Sequence, residues 1–157
     1  MPSRRSQIEL TPREIRDYID SRKTIIIVSN GKDGFPHPMP MWFHRSPDDR
    51  IHCTTFGKSQ KVLNYQRDPR ATLLVESGTE YAELKSVLIY AQVEISHDYD
   101  AVVDCLVHIN SRGRALTDDQ RANLRESVSA TARKRAMLSF TPQRYVSWDH
   151  GKLGGRY

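Results

Sequence analysis

The sequence predicts a mainly β fold, an antiparallel sheet with helices at its flanks. Apolar runs of strand length stand at about 24–29, 37–45, 50–55, 71–76 and 84–95. The segments between most of them are too short for a helical crossover, so the strands must run largely antiparallel. Turn signals occur where hairpins need them: Asn30-Gly31 and Asp33-Gly34 after the first run, Ser46-Pro47-Asp48-Asp49 after the second.

Each element has a local reason. Thr11-Pro12-Arg13-Glu14 is a helix start, with Thr as N-cap, Pro at the first helical position and Glu as capping-box partner. Ile15, Tyr18 and Ile19 follow at helical spacing, which predicts an amphipathic helix over 12–21. In the second strand Pro36, Pro38 and Pro40 alternate and share one face. None has an N–H, so this strand lies at an edge or has an interrupted ladder. Its unpaired backbone groups are open to a planar polar ligand. A helix over 59–67, apolar at Val62, Leu63 and Tyr65, is stopped by Asp68-Pro69. The run 84–95 begins apolar on both faces, as a central strand does. Helices are expected over 98–110 and 117–135, separated at Ser111-Arg112-Gly113, the second capped by Thr117 with Gln120. A last strand, about 143–149, delivers Trp148 to a Gly-containing tail.

At 157 residues, the expectation is one domain spanning 1–157. Apolar residues make up 38%, a thin core for a monomer, so burial of more surface in a dimer is expected. No run of 18 apolar residues exists and the first residues lack an apolar signal core, which predicts a cytoplasmic chain without membrane contact. Cys53 and Cys105 are too few and too far apart for a disulfide framework and read as buried thiols. The net charge of +5 raises nucleic acid as a partner, but the basic residues are dispersed. The densest run, Arg133-Lys134-Arg135, is assigned to a helix without aromatics for base stacking. No nucleic-acid partner is expected; a surface suited to an anionic cofactor explains the charge as well.

The most informative stretch is Thr54 to Arg70, T-T-F-G-K-S-Q-K-V-L-N-Y-Q-R-D-P-R. An apolar run ends in Gly57, and Lys58, Ser59, Gln60 and Lys61 follow at once. Amides at a helix start, two ammonium groups and a hydroxyl are what a phosphate needs around it. The alternative is a solvated basic turn. The six histidines show no metal spacing, no nucleophile elbow occurs, and adjacent Asp149 and His150 would point to opposite faces of a strand. His37 reads as a surface or packing residue. No metal and no catalytic side chain is assigned, and a bound cofactor is expected to carry the chemistry.

The order strand, N-G/D-G turn, P-H-x-x-P-M-W strand, then T-T-x-x-K-S-x-K-V-x-N-x-x-x-D-P-R, resembles the pyridoxamine 5′-phosphate oxidase-like split β-barrel superfamily. With the tail S-W-D-H-G-K-L-G-G-R-Y it is most similar to the flavin- and deazaflavin-dependent oxidoreductase branch. The resemblance implies a split, FMN-binding-like barrel and a homodimer with its cofactor sites at the interface. Met39, Pro40, Met41 and Trp42 would give backbone contacts to a flavin-type ring. Thr54, Thr55, Lys58, Ser59, Gln60 and Lys61 would hold its phosphate end. Asn64 would be a further donor or a helix-surface amide. Trp148 would reach the ring from the second subunit or be a core Trp. Coenzyme F-420 is favoured over FMN, with hydride transfer to or from a small unsaturated substrate. The alternatives are a non-catalytic flavin- or haem-binding module and an FMN-dependent pyridoxamine phosphate oxidase-like enzyme. The oxidases proper carry Arg where this chain has Gln60, which weakens the last of these. The glycines at 151, 154 and 155, with His150, Lys152 and Arg156, imply a tail docked across the dimer interface.

Overall fold

The structure, a computed structural model, describes residues 5–154. Seven strands among these residues form one antiparallel sheet: β1 Thr24–Asn30, β2 Pro36–Trp42, β3 His44–Arg45, β4 Ile51–Phe56, β5 Arg70–Ser77, β6 Lys85–Ser96 and β7 Arg135–Asp149. Their order is β2-β1-β5-β6-β7-β4-β3. The sheet curls until β2, at one edge, approaches β4 near the other, so the architecture is a split β-barrel. The helices are α1 Arg5–Ile8, α2 Pro12–Ser21, α3 Gln60–Arg67, α4 Tyr99–Ser111 and α5 Asp118–Ala132.

Alternation along the strands builds the core. Ile25 and Ile27 of β1, Leu73 and Val75 of β5, Val87 and Ile89 of β6, and Leu138 and Phe140 of β7 are all buried on the inner face. α3 lies against this face with Val62 and Tyr65, whose ring meets Phe140 edge-on at 5.7 Å. Thr11 and Glu14 close the expected capping box on α2. α4 and α5 pair over a smaller cluster that includes Val102, Val103, Leu106 and Ala132. Cys53 and Cys105 are buried and free, and burial pushes the Cys105 thiol up to about 12.

The structure corrects the sequence reading at two elements. The strand expected over 37–45 is two strands on opposite edges, β2 paired with β1 and β3 paired with β4. Between them Phe43 turns inward and is buried, so the chain passes from one lip of the barrel to the other at this residue. The second correction concerns the helix expected to reach 135 and the strand expected to start at 143. α5 ends at Ala132, and β7 runs from Arg135, paired with β4 along its first half and with β6 along nearly its whole length. Pro142 hid this length. It sits where the β6 register shifts between Tyr90 and Ala91, a bulge that lets a proline lie inside a long strand.

Candidate cofactor site

The end of β4 is the chemically unusual part of the molecule. Lys61, on the first turn of α3, is 8% exposed, and its Nζ donates one hydrogen bond, to Thr55 Oγ1 at 3.0 Å. The Thr55 hydroxyl is in turn 3.3 Å from that of Ser59. Ser59 is the N-cap of α3 but makes no side-chain capping bond. Among the described residues no carboxylate lies within ion-pair distance of Lys61. Burial first, then the nearby Arg135 guanidinium, lowers the pKa of its ammonium group. A buried cation beside a second cation, with hydroxyls and no counter-ion, is costly unless an anion completes it.

Arg135 makes the same point from β7. Its register partner is Phe56, whose ring lies 4.9 Å from the guanidinium carbon, and its Nη1 stands 3.4 Å from both the carbonyl and the hydroxyl of Thr54. Its Nε is buried without a hydrogen-bond partner. Placing residues 133–135 in a helix concealed this residue; the alternation Ala136, Leu138, Phe140 that follows is the signal that could have found it.

The expected phosphate residues therefore divide into two sets. Thr55, with Ser59 and Lys61, lies on the barrel-interior side of β4, whereas Thr54 points the other way, toward Arg135 and a cavity of about 410 Å³. Lys58 is exposed in the turn between them. Gln60 is turned along the helix, donating to Asn64 Oδ1 at 2.9 Å. Asn64 is fully buried, donates to Ser29 Oγ at 2.9 Å and accepts from Gln60 and Arg67. Its amide is thus committed to fastening α3 to β1.

The cavity joins this end of β4 to the proline strand. Pro40, Met41 and Trp42 line one side, Thr54 and Arg135 another, and Leu106, Asn110 and Val128 of the α4–α5 hairpin a third. The backbone of β2 alternates in use. Proline has no N–H, so the paired hydrogen bonds to β1 must be made at His37, Met39 and Met41, opposite Ser29, Ile27 and Ile25. Pro36, Pro38, Pro40 and Trp42 then face the open edge, where the prolines offer only carbonyl oxygens and Trp42 offers the N–H. The Met39 and Met41 side chains pack on the core, while Trp42 is 57% exposed. Met39 and Met41 therefore set the strand in place, and Pro40 and Trp42 are the backbone positions open to a ligand.

Trp148 stands near the far end of β7, opposite Ser86. At about 3.3 Å per residue the strand carries it roughly 40 Å of chain away from Arg135. Within one chain it does not meet the cavity. The tail is also local. Lys152 Nζ donates to Glu9 O and Glu14 Oε2, both at 2.8 Å, and His150 Nδ1 lies 2.9 Å from the Tyr81 carbonyl oxygen. Within the chain, the tail through Gly154 packs on the N-terminal helices and on the turn at Tyr81–Glu83; Gly155 and Arg156 lie outside the described residues. Asp149 pairs with Lys85 at 3.1 Å, so it and His150 have separate structural partners.

The sequence profile for pyridoxamine 5′-phosphate oxidase matches residues 11–149. The chain belongs to that family. It is similar in structure to a conserved hypothetical protein of Mycobacterium tuberculosis, at 31% identity and a TM-score of 0.85, over 99% of this chain and 94% of that one. A protein described as an F420 reductase aligns at 18% identity and a TM-score of 0.62, over 83% and 94% of the two chains. HutZ, the haem storage protein of Vibrio cholerae, aligns at 12% and 0.64, over 88% and 96%. The last two likenesses show the fold. No curated protein matches the chain. Among the described residues no helix is long and apolar enough to cross a membrane, and no cluster of His, Cys, Asp and Glu could hold a metal ion.

Proposed function

We propose that the protein is an oxidoreductase that binds a phosphorylated flavin-type tricycle, coenzyme F-420 in preference to FMN, and acts on a small unsaturated substrate. The observation that carries this reading is the anion-deficient pair Lys61 and Arg135, one buried with only a hydroxyl partner and one with an orphaned buried Nε. The residues fit such a group. Lys61, Ser59, Thr55 and Lys58 would hold phosphate oxygens at the start of α3, with Arg135 and Thr54 on the cavity side. Pro40 would accept from a ring N–H, and the Trp42 N–H would donate to a ring carbonyl. When bound, the cofactor supplies hydride transfer. The protein would orient it, and the α4–α5 hairpin, apolar at Leu106 and Val128, would shield it from water on one side of the cavity. The family's F-420 reductase neighbour and the basic composition support F-420 over FMN.

The same reading makes the working unit a homodimer. Trp42, Phe35, Phe56 and Leu63 are exposed apolar groups, and the β2 edge beside them is open. A second copy of the chain would cover them and could bring its Trp148 to the cavity. The test is spectral titration with FMN and with F-420, giving a dissociation constant for each, followed by turnover of activated alkenes by the loaded protein. Micromolar or tighter binding with turnover supports the enzyme. Binding without turnover favours a storage module, and no binding of either cofactor overturns the proposal.

A further inference from the structure

A second cavity, of about 480 Å³, lies on the other side of Trp42. It shares Trp42 and Ile109 with the cavity described above and otherwise has its own walls. Four of its lining residues are basic, Arg22, Lys23, Arg45 and Arg112, and one is acidic, Asp20. The acid is already used: Arg45 holds it through a fork, Nε to Oδ1 at 2.9 Å and Nη2 to Oδ2 at 2.6 Å. Arg22, Lys23 and Arg112 are without an ion-pair partner among the described residues. The cavity is thus lined by three uncompensated cations.

Its other walls combine the rings of Trp42, Phe43, His44 and His108 with the aliphatic Ile19 and Ile109. The Arg112 guanidinium carbon sits 5.5 Å from the Trp42 ring centre, held there by a residue in the left-handed region at φ 52. His44 is stacked between His52 and His108, with ring centres 4.9 Å apart on each side. Both faces of His44 are therefore covered, and its edge is what remains for the cavity. Burial, reinforced by the two neighbouring imidazoles, lowers its pKa to about 4, so near neutral pH this edge is uncharged. Cations at the mouth and uncharged aromatic surface within are complementary to a flat molecule with a negative end.

The geometry points to this cavity as a binding site for a planar aromatic carboxylate, seated against Trp42 with its carboxylate among Arg112, Lys23 and Arg22. The binding site stands on its own lining.

The test uses the full-length chain and 2-naphthoate, with 2-naphthalenemethanol as the neutral probe of the same shape, followed by tryptophan fluorescence and by calorimetry. The acid is expected to bind at least about tenfold more tightly than the alcohol, the order that one charge-assisted contact supplies. Arg112→Asn removes the guanidinium and keeps a residue that tolerates positive φ. It and Lys23→Gln are each expected to remove most of that preference while leaving FMN and F-420 affinities unchanged. Equal binding of acid and alcohol overturns the inference, as does a preference unaltered in both variants. Loss of naphthoate binding in Lys61→Met would place the probe in the phosphate site and also overturn it. Failure of FMN and F-420 to bind while naphthoate binding follows Arg112 would sink the proposed function and leave this site standing.

Discussion

Lys61→Met separates a functional lysine from a structural one by the sign of its effect. In the unliganded protein Lys61 has one hydrogen bond, from its ammonium group to the uncharged Thr55 hydroxyl, whose contribution is at most about 1.5–3 kcal/mol for a charged donor. Against it stands the cost of a poorly solvated ammonium group near Arg135, the origin of its lowered pKa. Methionine removes both effects and keeps the buried stem, so stability without ligand should change by no more than about 1 kcal/mol and can rise. Anion binding loses a charge-assisted contact of about 1.5–3 kcal/mol, roughly a 10- to 100-fold weaker dissociation constant. Thermal unfolding without ligand, with inorganic phosphate titrations and then FMN, reads both quantities. In the wild type the affinity should also fall as pH rises. The anion binds to protonated Lys61, whose folded pKa lies below its ordinary 10.5, so the loss begins below that value. A variant that unfolds several kcal/mol more easily yet keeps its phosphate affinity would refute the reasoning.

Other expectations follow from the same contacts. Asn64→Ala should lower stability by about 1–3 kcal/mol, because Ser29 loses its partner in a fully buried position; unfolding in urea measures this. Arg135→Gln should weaken phosphate and FMN binding about tenfold without loss of fold, and unchanged affinity would remove Arg135 from the site. His44 has a folded pKa of about 4 against an ordinary 6.5, so the folded state binds fewer protons between these values. Stability should be full above 6.5 and fall toward pH 4, by on the order of 1–2 kcal/mol after allowing for its partial exposure, and His44→Phe should flatten that slope. Sedimentation at micromolar concentration should give about twice the 18.1 kDa chain mass, and a clean monomer would remove the shared-site arrangement.

Local physics made much of this protein legible from its residues. The capping box at Thr11 and Glu14, the hairpin turn signals and the stop at Asp68-Pro69 act over a few residues, so α2, β1 and α3 lie where their sequences place them. Alternate prolines carry no N–H wherever they are, and β2 is accordingly an edge strand. The composition of residues 58–61 marked the start of α3 as a basic, hydroxylated turn before any neighbour was known. What lies across the sheet was decided by tertiary structure alone. Phe43 ends one strand and begins another because its side chain finds the core and β3 finds β4, a pairing invisible in the run 37–45. Arg135 faces Thr54 only because β7 pairs with β4 across a long stretch of sequence, and the same pairing turned an expected helix end into a strand. Asn64, equally readable as a donor or a surface amide, was fixed as an anchor by Ser29 on a different element. A side chain's type states which interactions it can make, and packing decides which partners come within 3 Å of it.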